Sequence, residues 1–188
     1  GKAGHAGTVP LHLRQDALVT ASECIVKLEK IAKASANTVV TVGEISIKPG
    51  ASNVIPGHAK FTVDLRSSEN SVRKKVENEL QLALKEICTN RKAKLITTKT
   101  HSAESTKCSN NVIKQLENAF IKSGYPTYFL PSGAGHDTAA MSDLTETGMI
   151  FLRCREGISH NPAESVKPED IEAGFRIMLK FIENFKPL

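Results

Sequence analysis

The sequence predicts an α/β protein in two parts. Residues 1–104 read as an open-faced, ferredoxin-like βαββαβ domain, and residues 105–188 as an incomplete piece of a second α/β domain. Three observations predict this. Hydrophobic spacing alternates between a period of two and a period of three to four, in the order strand, helix, strand, strand, helix, strand, counting a truncated strand before His5. A polar stretch from His101 to Lys107 marks a boundary. Beyond it, two short segments are apolar on both faces, as in a covered parallel sheet, yet only two helices accompany them. Two strands alone are marginal in water, so neighbouring chain is expected to complete that sheet. The polypeptide therefore reads as the later portion of a longer protein, and its glycine-rich start, Gly1 to Pro10 without an initiator methionine, reads the same way.

From Arg14 onward, Leu18, Ala21, Ile25, Leu28 and Ala32 form one stripe of an amphipathic helix, with Glu23, Lys27 and Lys30 on its polar face. Val39 to Ile47 then alternates as a strand, Val40 and Val42 sharing a side, and ends at Lys48-Pro49-Gly50. A turn-rich link, Asn53 to Gly57, leads to the clearest strand in the chain. There Phe61, Val63 and Leu65 face one way while Lys60, Thr62, Asp64 and Arg66 face the other. Ser67 and Ser68 are candidate caps for a second helix striped by Val72, Val76, Leu80 and Ile87, which Asn90 to Lys92 ends. Lys94 to Thr100 completes the pattern as a short strand.

After the boundary come a helix striped by Val112, Leu116, Ala119 and Phe120, a strand Thr127 to Leu130, and a strand Gly148 to Arg153. The last helix has Pro168, Glu169 and Asp170 in its first turn, and Ile171, Phe175, Met178, Leu179 and Ile182 as its expected buried stripe. Two loops lie at strand ends, where α/β sheets place their chemistry: Pro131 to Asp137 and Gly157 to Pro162. Gly133 and Gly135 are expected to use positive φ and expose backbone N–H groups to a ligand. His160 sits on irregular backbone before Pro162, where an imidazole can ligate a metal, move a proton, or simply be satisfied by a neighbour.

Composition excludes several classes. No apolar run approaches the ~20 residues of a membrane span, so a soluble, cytoplasmic protein without a membrane partner is expected. Four scattered cysteines form no C-x-x-C pair and read as buried free thiols. The net charge of +5 comes largely from lysines and arginines around the second helix; with 5% aromatic residues and no interleaved motif, it reads as a solvated face and not a nucleic-acid surface.

Five stretches then become recognisable together: Gly4-His5-Ala6-Gly7-Thr8-Val9-Pro10, Ser52-Asn53-Val54-Ile55-Pro56-Gly57, Phe61-Thr62-Val63-Asp64-Leu65-Arg66, Ser132 to Asp137, and Gly157 to Pro162. In this order they resemble the N-carbamoyl-L-amino-acid hydrolases. Close relatives are the allantoate and ureidoglycolate amidohydrolases and β-ureidopropionase, within the carboxypeptidase and aminoacylase type of metallo-amidohydrolase. The resemblance implies that residues 1–104 are a lid that dimerises and that 105–188 are the returning part of a catalytic domain. It further implies two divalent metal ions, zinc or manganese, in the full-length enzyme, and release of ammonia from a carbamoyl or ureido C–N bond.

Carried over residue by residue, the resemblance makes His160 a metal ligand, and His136 and His5 groups that contact the substrate carbonyl or its developing oxyanion. Asn53, Arg66 and the Gly135 N–H would hold the substrate's carboxylate and amide or ureido group. For Arg66 the alternative is a cross-strand pair with Asp64 or Glu44. His12, His58 and His101 match no motif and read as surface histidines. The family's other metal ligands and its water-activating glutamate lie outside these residues, so this chain alone is expected to be inactive and not to retain the metals. Peptidase or aminoacylase activity, and a non-catalytic dimerisation and binding module, are the rival readings.

Overall fold

Asp16 accepts hydrogen bonds from the backbone N–H groups of Leu18 (2.9 Å) and Val19 (3.1 Å). It thereby caps the first helix, α1 (Ala17–Ala34), later than Arg14, where the apolar stripe suggests a start. The computed structural model describes residues 1–187 and divides into two units between Ser105 and Thr106.

In the first unit, β1 (Gly4–His5) pairs antiparallel with β4 (Val54–Ile55). The strand expected from Val39 to Ile47 is broken into β2 (Thr38–Thr41) and β3 (Ile45–Lys48). Its partner is broken likewise, into β5 (His58–Phe61) and β6 (Asp64–Ser67). β2 pairs with β6 and β3 with β5, both antiparallel. Between the two ladders, Val42 to Glu44 face only Thr62 and Val63, so one extra residue is accommodated as a bulge that bends the ribbon. The Thr62 N–H donates to the Glu44 carbonyl and its Oγ1 accepts from the Glu44 N–H, both at 3.1 Å. Val63, expected to be buried with Phe61 and Leu65, falls at this break and is exposed, while the other two pack on the core.

The second long helix, α2 (Asn70–Asn90), starts after Glu69, not at the serines. Ser67 Oγ accepts the Glu69 N–H at 3.2 Å but caps no helical residue. Cys24, Leu28 and Ile31 of α1 interlock with Val76, Leu80, Ala83, Leu84, Ile87 and Cys88 of α2, and Val40, Val42, Phe61 and Leu65 close the core from the ribbon. Both helices thus lie on one face of the antiparallel strands. Burial, with the Cys88 thiol alongside, pushes the Cys24 thiol up to about 12, which keeps it a protonated packing group. Lys94 to Thr100, expected as a strand, carries no ladder. In a βαββαβ sheet the last strand lies beside the first, and the first here is reduced to Gly4–His5. Ala93 and Leu95 still pack against the core.

In the second unit, Ser109 caps α3 (Asn110–Lys122), which packs on α5 (Pro168–Asn184). The loop Pro131 to His136 runs into a short helix, α4 (Asp137–Met141), that hydrophobic spacing did not announce. A Cβ at Gly174 would lie 2.5 Å from Leu152 Cδ2, so the leucine side chain rests over the glycine and would have to turn aside for a larger residue. The expected strands Thr127–Leu130 and Gly148–Arg153 carry no ladder, because no described segment offers them an edge. The stripe expected to be buried on α5 is also uncovered. Ile177 faces α3 at 3% exposure, whereas Phe175 is 67% and Ile182 63% exposed.

Leu28 is 1% exposed at the centre of the α1–α2 core. Leu28→Ala is expected to destabilise the first unit by about 2–5 kcal/mol, read from urea unfolding by circular dichroism. A loss below about 1 kcal/mol would contradict this packing.

Candidate functional site

Two of the residues singled out by sequence meet through the backbone. The β1–β4 ladder pairs His5 with Val54, and the Ala6 N–H donates to the Asn53 carbonyl at 2.9 Å. The motif Ser52 to Gly57 explains itself residue by residue. Ile55 is buried, Pro56 accepts the first N–H of α1 from Ala17 (2.9 Å), and Gly57 lies so close to Ala3 that a Cβ would come within 2.8 Å of its N. Asn53 is exposed, and its side chain makes no hydrogen bond to the described residues. Its backbone carbonyl serves the loop while its side chain stays available.

His5 is exposed and ends a tight loop. The Gly7 N–H donates to its Nδ1 at 3.0 Å, and the ring makes no other hydrogen bond among the described residues. A nitrogen that accepts carries no proton, so the neutral ring presents Nε2–H outward as a donor.

Arg66 lies elsewhere on the ribbon. It pairs with Val39 across the β2–β6 ladder, eight residues along the strand from His58, and Asn53 lies beyond His58 in the connecting turn. At ~3.3 Å per residue the separation is on the order of 20 Å or more. Its guanidinium grips Asp64, two residues back on the same face, through Nε–Oδ1 (2.9 Å) and Nη2–Oδ2 (2.7 Å). Arg66 does pair with Asp64, but along one strand and not across the ladder as expected. These bonds hold the Asp64 carboxyl below the ordinary aspartate range and raise the Arg66 guanidinium.

In the second unit, His136 and Ser132 form a pair, Nε2 to Oγ at 2.7 Å, and Ser132 Oγ also accepts the Ala134 N–H at 3.2 Å. The expectation that Gly133 and Gly135 use positive φ fails. The serine side chain closes the turn instead, and His136 is extended (φ −136°, ψ 152°) as it enters α4. A Cβ on Gly135 would meet nothing within 4 Å, so the backbone there stays approachable. His160 is exposed and left-handed, with φ 56°. Its N–H donates to Glu164 Oε2 at 3.1 Å. Such a conformation costs a non-glycine residue about 1–3 kcal/mol and gathers at functional sites.

Among the described residues, no group of three or more His, Cys, Asp and Glu side chains could hold a metal ion. Since a catalytic zinc takes about three protein ligands, these residues do not make a metal site by themselves. Sequence reading missed Ser132 and Gly7 as partners of His136 and His5, and named Asp64 beside Arg66 only as an alternative. All three lie inside the quoted motifs, and their short spacings, four, two and two residues, were the available signal.

Residues 1–92 match the model of the peptidase dimerisation domain family. Across 98% of its length the chain is 39% identical to allantoate deiminase 1 of Glycine max, covering 44% of that protein. It is likewise 39% identical to the N-carbamoyl-L-amino-acid amidohydrolase of Pseudomonas sp., over 97% of this chain and 44% of the relative. The similarity to these amidohydrolases runs through nearly the whole chain. A crystal structure of an amidase of the hydantoinase/carbamoylase family from Burkholderia multivorans superposes with a TM-score of 0.92 at 30% identity, covering all of this chain and 46% of that one. The chain therefore spans under half the length of the relatives it matches. No helix among the described residues is long and apolar enough to cross a membrane.

The Asp64–Arg66 pair gives a pH test. Because the aspartate pKa is lowered on folding, the pair's contribution is complete above the ordinary aspartate range and is lost as pH falls through the lowered value. Both side chains are about half exposed, which limits it to about 0.2–1 kcal/mol. Urea unfolding should show Asp64→Asn less stable than wild type at pH 7, with the difference vanishing in strong acid. A difference that persists unchanged in acid would contradict the assignment.

Proposed function

We propose that the full-length protein to which this chain belongs is a metal-dependent amidohydrolase. In this reading it cleaves the carbamoyl or ureido C–N bond of an N-carbamoyl-L-amino acid or of allantoate and releases ammonia. The observation that carries the reading is that the similarity runs through both units, at 39% identity over 97–98% of the chain, and not through the dimerisation domain alone. Peptidases share the dimerisation domain by name, so a panel that sets N-carbamoyl amino acids and allantoate against dipeptides and N-acyl amino acids distinguishes the classes.

In this reading His160 is one ligand of a divalent metal, zinc or manganese, and the remaining ligands and the water-activating base come from outside these residues. The left-handed backbone at His160, held by Glu164, supports a fixed imidazole there. His5 donates its Nε2–H to the substrate carbonyl as negative charge develops; one such donor contributes on the order of 3–4 kcal/mol to the barrier. Asn53, joined to the His5 loop, orients the amide or ureido group. His136, held by Ser132, and the Gly135 N–H are further substrate contacts in this reading. Arg66 grips the carboxylate, with Asp64 fixing one edge of its fork.

A small ligand cannot span the distance from Arg66 to the His5–Asn53 pair of one chain, which favours a homodimer whose partner supplies His5 and Asn53. The dimerisation-domain match supports the same assembly. The free cysteines fit a reducing compartment such as the cytoplasm.

In the full-length enzyme, Arg66→Ala is expected to raise KM about 10- to 100-fold, the loss of a charge-assisted pair, with metal content unchanged by elemental analysis. Loss of metal in that variant would contradict the role given to Arg66.

A further inference from the structure

Arg14 lies in none of the five motifs, at the end of a short turn, Leu11–Leu13. Its half-buried guanidinium reaches back to the loop that carries His5. Nε donates to the Val9 carbonyl at 3.0 Å and Nη2 to the Ala6 carbonyl at 2.5 Å, so one planar group bridges both ends of Ala6 to Val9. The loop's own backbone bonds are long: the Thr8 and Val9 N–H groups both donate to the His5 carbonyl, at 3.4 and 3.3 Å. Within this frame the Gly7 N–H meets His5 Nδ1.

The physical consequence concerns the ring proton. An unconstrained neutral imidazole exchanges between two tautomers, and only the Nε2–H form keeps the bond from Gly7. That bond depends on where Gly7 sits, and Gly7 lies between the two carbonyls that Arg14 holds.

We propose that Arg14 is a positioning residue: by clamping the Ala6 and Val9 carbonyls, it holds the Gly7 N–H on His5 Nδ1 and so fixes His5 as an Nε2–H donor. Its catalytic consequence rests on the reading above, in which His5 donates to the substrate carbonyl. A lysine does not substitute, because a compact ammonium on a flexible stem lacks the rigid fork that spans two carbonyls.

The test is nitrogen-15 NMR of the histidine rings in the full 188-residue chain at about pH 8, above the ordinary histidine pKa. His5, assigned by its loss in His5→Gln, is expected in the Nε2–H form in wild type and as a tautomer average in Arg14→Ala and Arg14→Lys. Circular dichroism establishes that each variant is folded; should Arg14→Ala not fold, Arg14→Lys decides. An unchanged His5 tautomer in a folded variant overturns the proposal. In the full-length enzyme the same variants should lower kcat for allantoate about 10²-fold, the scale of a misplaced catalytic group, with KM little changed. A tautomer shift with unchanged turnover supports the clamp and refutes the role given to His5.

Discussion

The two-residue ladder between Gly4–His5 and Val54–Ile55 is the constraint on which the arrangement of polar groups depends. It carries little energy by itself, since so short a pairing is marginal without support. Support comes from what surrounds it: the buried Ile55, the Ala17 N–H on Pro56, and the glycine at 57 that lets Ala3 pass. Through these contacts the start of α1, the His5 loop and the Asn53 turn are set by one another. The α1–α2 core then fixes this assembly to the bulged ribbon that carries Arg66 at its other end. A single sheet-and-helix scaffold thus presents two separated sets of polar groups.

Much of this was legible in the sequence, and the failures share one cause. Period-three-and-four stripes located α1, α2 and α3 because each has a face buried within its own unit, and located α5 by a stripe that is exposed. Period-two alternation located the ribbon but not its bulge. The one-residue surplus at Val42 to Glu44 is marked only by the interior glycine at 43, which period-two alternation does not weigh. Where the described residues offer no partner strand, local pattern overreached: Lys94–Thr100, Thr127–Leu130 and Gly148–Arg153 carry strand-like residues with no edge to join. The outward stripe of α5 belongs with them. Ile171, Phe175 and Ile182 spell burial, yet the face turned to α3 is that of Ile177.

For the polar groups, the motifs named the residues but not their supports. The φ of His160, the bidentate hold of Asp64 on Arg66, and the Ser132–His136 pair come from three-dimensional placement. The glycines at 133 and 135 show the reverse case. Their conformational freedom suggested a left-handed turn, whereas the chain uses a serine side chain to close it. Arg14 left no signal at all, because its task is to hold backbone carbonyls and no motif describes that.

The central claim is that the groups on this scaffold serve one small substrate only when two copies combine, His5 and Asn53 from one and Arg66 from the other. Mixing full-length His5→Ala with full-length Arg66→Ala, after dissociation and reassociation of the subunits, tests it directly. The account predicts that kcat/KM returns to about a quarter of wild type, since half the dimers are mixed and one of their two sites is intact. No recovery in a mixture shown to contain mixed dimers would contradict it.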